Sequence, residues 1–212
     1  IRSHTLATKA TESGAFDAET ANLDAIVRDE CIRPDTTLDA LASLKPAFKK
    51  GGVVTAGNSS PLNDGAASCM VMSEKAARDN GVVPEAFLVD VKTVALDPNR
   101  MGLGPALAIP KLLKSNTLGP QDVDLFEINE AFASQMLATL VHLKKVDNLE
   151  IPEEKLNVNG GAIALGHPLG ATGLRLIVTL ANALRQRNLH RGVAALCVGG
   201  GQGMGALVEI PV

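Results

Sequence analysis

The sequence predicts an α/β layered domain built on a mixed sheet, and three observations carry that prediction. From about Pro46 onward, apolar runs of strand length alternate with longer runs at helical spacing, the pattern of strands interleaved with helices. The last two apolar runs, 193–198 and 206–210, are joined by a short glycine-rich turn. They should therefore pair antiparallel in a sheet whose other connections are crossovers. The chain has 212 residues, 46% hydrophobic and 20% charged, so it can bury a sizeable core.

Taken in order, residues 4–13 read as a short helix stopped by Gly14. Residues 17–45 are polar and irregular, with Arg33-Pro34-Asp35-Thr36-Thr37 as a turn and helix start. A short strand follows over 53–56. Asp64 caps a helix running to Asn80-Gly81, and 86–95 is a Val-rich strand. Met101-Gly-Leu-Gly-Pro105 turns into a helix ending at Lys114, with Pro105 in its first turn. The strand 123–128 leads to a helix beginning at Asn129, in which Phe132, Met136, Leu140 and Val141 share a face. Another strand lies within 156–164. Residues 172–187 form a helix carrying Leu174, Ile177, Leu180, Ala181 and Leu184 at helical spacing. No internal repeat is visible.

Composition excludes several classes of function. A net charge of −3 gives no case for nucleic-acid binding, and 2% aromatics without Trp or Tyr argue against stacking platforms. No apolar stretch is long enough to span a bilayer. Three scattered cysteines, Cys31, Cys69 and Cys197, make no disulfide framework and point to a reducing compartment. The start Ile1-Arg-Ser-His carries no Met, signal or transit pattern, as in a piece of a longer chain or a processed one.

The run Asn157-Val-Asn-Gly-Gly-Ala-Ile-Ala-Leu-Gly-His-Pro-Leu-Gly170 sets one histidine among glycines and small residues. Glycine lets a backbone or ligand come close, and histidine exchanges protons near neutral pH. His167 precedes Pro168 and a helix start, whose free N–H groups and dipole suit oxyanion chemistry. A structural histidine in a tight turn is the plainer alternative. Cys197 ends an apolar strand before a glycine run. It is a small buried hydrophobe, or a thiol exchanging protons with an imidazole. The glycines of Gly201-Gln-Gly203-Met-Gly205 are not a dinucleotide loop, because a strand-like run follows them where a helix is required. They serve a hairpin turn or a close backbone approach. Asn129 is a helix N-cap or an amide holding a water or carbonyl oxygen, and Glu130 is a first-turn acid. His4, His142 and His190 form no constellation, and Cys69 reads as core packing on a helix. No His/Cys/Asp spacing reads as a metal site.

Four blocks together resemble the signatures of the thiolase family. They are Thr55-Ala-Gly-Asn-Ser-Ser-Pro-Leu-Asn-Asp-Gly-Ala66, Asn129-Glu-Ala-Phe-Ala133, the run from Asn157 to Gly173, and Cys197-Val-Gly-Gly-Gly201. Their order and separation also fit, over the chain from about residue 2 to its end. The resemblance implies a thiolase-like layered fold, a mixed sheet with helices on both faces. Residues 1–45 would be a remnant of the CoA-binding loop domain and linker, and 46–212 the C-terminal thiolase domain.

It further implies cleavage of 3-ketoacyl-CoA by CoA, giving acetyl-CoA and a shortened acyl-CoA, through an acyl-cysteine. His167 corresponds to the histidine that activates the nucleophile and helps bind the thioester oxygen. Asn129 corresponds to the asparagine that fixes a water there, Cys197 to the second, proton-moving cysteine, and the Gly199 N–H to an oxyanion donor. These three side chains should meet from three strand ends. Ser60, with Ala56 and Gly57 nearby, corresponds to the pantetheine contacts, and Met101 and Phe132 to the tunnel lining. CoA is implied as a substrate, with no permanently bound cofactor.

The acylated cysteine belongs to the family's N-terminal half, and neither Cys31 nor Cys69 sits in its motif. The isolated chain should therefore be inactive, with that missing half and a homodimer or tetramer as partners. The family's excursion near Glu19 also departs here, since 20–30 is brief. A biosynthetic, acetoacetyl-CoA-forming direction and a non-catalytic CoA-binding remnant are the alternatives. Residues 36–48 resemble the degradative members. The compartment implied is cytoplasmic for a bacterium, peroxisomal or mitochondrial for a eukaryote, and not secreted.

Overall fold

The computed structural model describes residues 31–211. The helix expected over 4–13 and the irregular stretch 20–30 lie outside the described residues. By its contacts the chain divides into two units, residues 1–40 and 41–212. Thr36 closes a turn on the Arg33 carbonyl and the Thr37 hydroxyl accepts the Ala40 N–H, starting α1 (Leu38–Ala42), where the division falls, as the sequence suggests.

The second unit carries a four-stranded sheet in the order β1 (Phe87–Ala95), β4 (Gln202–Glu209), β3 (Arg191–Val198), β2 (Leu125–Ile128). β3 and β4 form the antiparallel hairpin, β1 adds antiparallel to β4, and β2 runs parallel to β3. The sheet is mixed, as expected. Its helices are α2 (Glu74–Asp79), α3 (Gly104–Ser115), α4 (Ala133–Val146), the single turn α5 (Ala162–Leu165) and α6 (Thr172–Gln186).

Strand alternation divides the core in two. Phe126, Ile128, Val193, Ala195 and Leu207 face Ile109 and Leu112 of α3 and Met136 and Leu143 of α4. Leu125, Ala194, Ala206 and Val208 face Leu176, Leu180, Ala183 and Leu184 of α6. Helices therefore cover both faces of the sheet. No helix among the described residues is long and apolar enough to cross a membrane.

Several expected boundaries change. Residues 53–56 are not a strand. Thr55 and Asn58 instead cap each other around a 3₁₀ turn, Ala56–Asn58. The helix placed from Asp64 to Asn80 shrinks to α2, whose cap is Ser73, its hydroxyl accepting the Ala76 N–H. Cys69 is consequently exposed on an extended segment and is not in the core. Only Leu156 of the strand expected within 156–164 pairs, with Phe126, because Asn157 then turns to φ 44°. α4 starts four residues after Asn129, so Asn129 is not its cap and Glu130 is not in its first turn. On α4 the buried face is Gln135, Met136, Thr139 and Leu143, while Val141 points outward.

Close backbone approach explains one glycine of the β3–β4 hairpin. A Cβ on Gly203 would collide with the Gly104 backbone, so its bareness lets α3 begin against β4. The turn itself passes through Gly201 at φ 86°, whose carbonyl accepts the Leu96 N–H.

Candidate functional site

β2 and β3 run parallel, β3 continues three residues past the pair Ile128–Ala195 where β2 ends, and that edge holds the first two residues of the site. The Asn129 N–H continues the ladder by donating to the Ala195 carbonyl at 2.9 Å. Asn129 is fully buried one residue beyond β2, and Cys197 lies two residues beyond Ala195 on β3. Burial raises the Cys197 thiol above its ordinary pKa, which favours the protonated thiol at neutral pH. Gly199 opens the turn that follows, with nothing within 4 Å of where its Cβ would lie.

His167 reaches this edge from a loop between α5 and α6, not from a strand end. Three anchors hold that loop. Its own N–H donates to the Pro61 carbonyl at 3.0 Å. The ring's Nδ1 lies 2.7 Å from the Thr172 hydroxyl, and its Nε2 lies 3.4 Å from Asn129 Nδ2. Gly166 precedes it at φ 94°, a left-handed conformation pressed against the Asn63 side chain, which no residue with a Cβ fits. Burial, reinforced by the charge of Arg175, holds His167 below the ordinary imidazole pKa. At neutral pH the ring is therefore uncharged and able to accept a proton. The Asn129 Oδ1 is buried with no hydrogen-bond partner.

Sequence reasoning missed the residues that build this loop. Asn157 continues the path of a strand beside β2: its backbone N–H donates to the Phe126 carbonyl at 2.8 Å. Its side chain then does the same one step further, accepting the Ile128 N–H at 2.8 Å and donating to the Ile128 carbonyl at 2.9 Å. The same amide donates to Glu130 Oε1 at 2.9 Å. Glu130 Oε2 accepts the Ile163 N–H at 3.3 Å, so Glu130 caps α5 and not α4. Its carboxyl fills the space a Cβ on Gly161 would need. Below them Glu127, buried in β2, meets Arg175 of α6 at 3.2 Å. Burial pushes Glu127 up to about 7, against the pull of Arg175 and with a further push from Glu130. The visible signal for this pair was an acid inside an otherwise apolar strand.

The remaining candidates surround the site at varying distance. The Ser60 N–H and hydroxyl both donate to the Ala131 carbonyl at 3.1 Å, and Ser59 bridges to Phe132. That contact, with Pro61 bonded to His167, brings the segment 59–61 into the site. Ala56 and Gly57 lie one turn earlier, with Gly57 against Leu41 and Leu44. The Phe132 ring stands edge-on to Phe48, centroids 5.7 Å apart. Met101 is partly exposed in the 3₁₀ segment Pro98–Leu103, which packs on α4 where the Thr139 hydroxyl meets the Gly102 carbonyl. Among the described residues no hydrogen bond joins Cys197 to His167 or Asn129, and no group of three or more His, Cys, Asp or Glu could hold a metal ion.

An uncharged imidazole, a buried amide and a protonated thiol at one sheet edge can move protons and stabilise a developing oxyanion. Two family models match this chain: "Thiolase, C-terminal domain" over residues 82–210 and "Thiolase, N-terminal domain" over residues 1–75. A probable acetyl-CoA acyltransferase of Staphylococcus epidermidis is 47% identical over 212 residues, covering 96% of this chain and 52% of the relative. The crystal structure of Bacillus anthracis acetyl-CoA acetyltransferase superposes with a TM-score of 0.79 at 46% identity, over 99% of this chain and 54% of that one. Human mitochondrial 3-ketoacyl-CoA thiolase in complex with CoA gives a TM-score of 0.75 at 43% identity, over 86% and 45%. The chain spans about half the length of the curated relatives it matches.

Proposed function

Because the chain belongs to the thiolase family, we propose that it supplies the proton-transfer half of an acyltransferase that cleaves 3-ketoacyl-CoA with CoA. The observation that carries this reading is the His167 ring held against Asn129 at the edge where Cys197 lies one residue before the end of β3. In this reading His167 Nε2 takes the proton of a nucleophilic cysteine thiol, whose sulfur attacks the 3-keto carbon. The bond between C2 and C3 breaks, the acyl group stays on sulfur, and the acetyl-CoA enolate leaves with the electron pair. Cys197 protonates that enolate. Its thiolate then takes the proton of an incoming CoA thiol, whose sulfur takes the acyl group as the bond to the cysteine breaks, and the departing cysteine thiolate recovers its proton from His167 Nε2. Asn129 and the Gly199 N–H stabilise the oxyanions.

The nucleophile corresponds to no block of this chain, so we place it on the N-terminal half, and the 212 residues alone are inactive. We assign residues 1–45 to the loop domain and 46–212 to the C-terminal domain, an earlier division than that of the two family models, which meet between residues 75 and 82. Ser60, Ala56 and Gly57 contact the pantetheine of CoA, and Met101 and Phe132 line its tunnel. The CoA complex of the human relative supports CoA as the ligand, a substrate and not a resident cofactor. A homodimer or tetramer working in fatty-acid β-oxidation, in a bacterial cytoplasm or a eukaryotic peroxisome or mitochondrion, completes the reading. Relatives named acetyl-CoA acetyltransferase favour a second one, condensation of two acetyl-CoA to acetoacetyl-CoA.

Product assays in both directions on the complete protein separate these. Thiolysis of medium- or long-chain 3-ketoacyl-CoA faster than acetoacetyl-CoA formation supports the first, and turnover in neither direction sinks both. Cys197→Ala should lower turnover by about 10²-fold or more with the fold retained. Near-normal rates would remove Cys197 from its role.

A further inference from the structure

We propose that Thr172 is the positioning residue that fixes the tautomer of His167, keeping the proton on Nδ1 and leaving Nε2 bare. The Thr172 hydroxyl lies 2.9 Å from the Pro168 carbonyl, a group that only accepts, and the hydroxyl has one proton to give. That proton goes to Pro168. What the hydroxyl then offers His167 Nδ1, 2.7 Å away, is a lone pair, so Nδ1 carries the hydrogen.

The other side of the ring agrees. The neighbour of Nε2 is Asn129 Nδ2 at 3.4 Å, an amide nitrogen that only donates, which suits a bare Nε2 and opposes an Nε2–H. The device is rigid. Thr172 is fully buried, it is the first residue of α6, and its own N–H also donates to the Pro168 carbonyl at 2.9 Å. Ring, carbonyl and hydroxyl therefore belong to a single turn whose second residue is a proline of fixed φ. A histidine base works through the nitrogen that is bare, so the partner of its other nitrogen decides which atom reacts. Thr172 fills that place with a hydroxyl, where a carboxylate would also raise the basicity of the ring.

The role of Thr172 in turnover rests on reading His167 as the base, but the tautomer can be measured without it. Long-range ¹H–¹⁵N spectra of histidine-labelled complete protein, with His167 assigned by its loss in His167→Gln, show which ring nitrogen is protonated. The expected wild-type result is protonated Nδ1 and bare Nε2 at neutral pH. Thr172→Ser keeps this signature and Thr172→Val loses it, with kcat lower by about 10²-fold and KM little changed. An Nε2–H tautomer in the wild type, or an unaltered signature in Thr172→Val, overturns the proposal. If Thr172→Val does not fold, the wild-type and Thr172→Ser spectra still decide. A lost signature with unchanged kcat supports Thr172 as the tautomer device and sinks His167 as the base.

Discussion

At Asn157 the chain leaves an extended path for the left-handed region, and the same side chain holds β2 and Glu130 by three hydrogen bonds. Asparagine tolerates that conformation better than most residues, and its amide imitates a backbone peptide. Asn157→Ala would strand the buried N–H and carbonyl of Ile128 and remove a partner of the half-buried Glu130 carboxylate, so a loss of about 3 kcal/mol is expected in urea unfolding. A loss below about 0.5 kcal/mol would refute this account of the loop. Glu127 gives a second residue-scale prediction. Its folded pKa is raised from 4.5 to about 7, so the native state holds a proton that the unfolded chain has released. Its contribution to stability is full below about pH 4.5 and is lost as pH rises to about 7. Relative to Glu127→Gln, which keeps the His167 contribution, the wild type should lose on the order of 2–3 kcal/mol across that window. Parallel curves would contradict the raised pKa. The settings of His167, Asn129 and Cys197, glycine-rich or at strand ends, marked them only as candidates with structural alternatives, and their proposed roles came from the resemblance to the family. Asn157, Thr172 and Glu130 were not assigned these roles, since each acts through a partner that only the folded loop brings near.

Elements long enough to show their period were read correctly in kind. The helix of 172–187 and the strands expected over 193–198 and 206–210 needed only their apolar spacing, although β3 begins earlier, at Arg191, and β4 begins at Gln202, inside the run read as a glycine turn. The short segments failed because capping, and not periodicity, decides them: Thr55 with Asn58 makes a 3₁₀ turn, Ser73 starts α2, and Asn157 ends a single-bridge strand. α6 does two jobs, since its first residue holds His167 while Leu180 and Leu184 bury against the sheet. Leu184→Ala should cost about 2–5 kcal/mol and lower the thermal midpoint, as a fully buried leucine leaves a cavity. A cost under about 1 kcal/mol would show that α6 packs loosely.

Across the molecule, the layered α/β architecture follows from strands with two apolar faces, one toward α3 and α4 and one toward α6. The second unit also leaves large apolar side chains in water along its extended segment: Leu62 is 82% exposed, Met70 82% and Val71 79%. Solvent-exposed apolar surface of that kind favours association. The 212-residue chain by itself should sediment as oligomers or bind a hydrophobic dye, and a monodisperse monomer without dye binding would argue otherwise.

The proposed function rests on His167 acting as the base of an acyl-transfer site toward a nucleophile carried outside these 212 residues. The most direct measurement is thiolysis of a 3-ketoacyl-CoA by the complete protein, wild type against His167→Ala, with folding checked by circular dichroism. A fall of about 10²- to 10⁴-fold in kcat with native secondary structure is predicted, and a rate within about twofold of wild type would contradict the account.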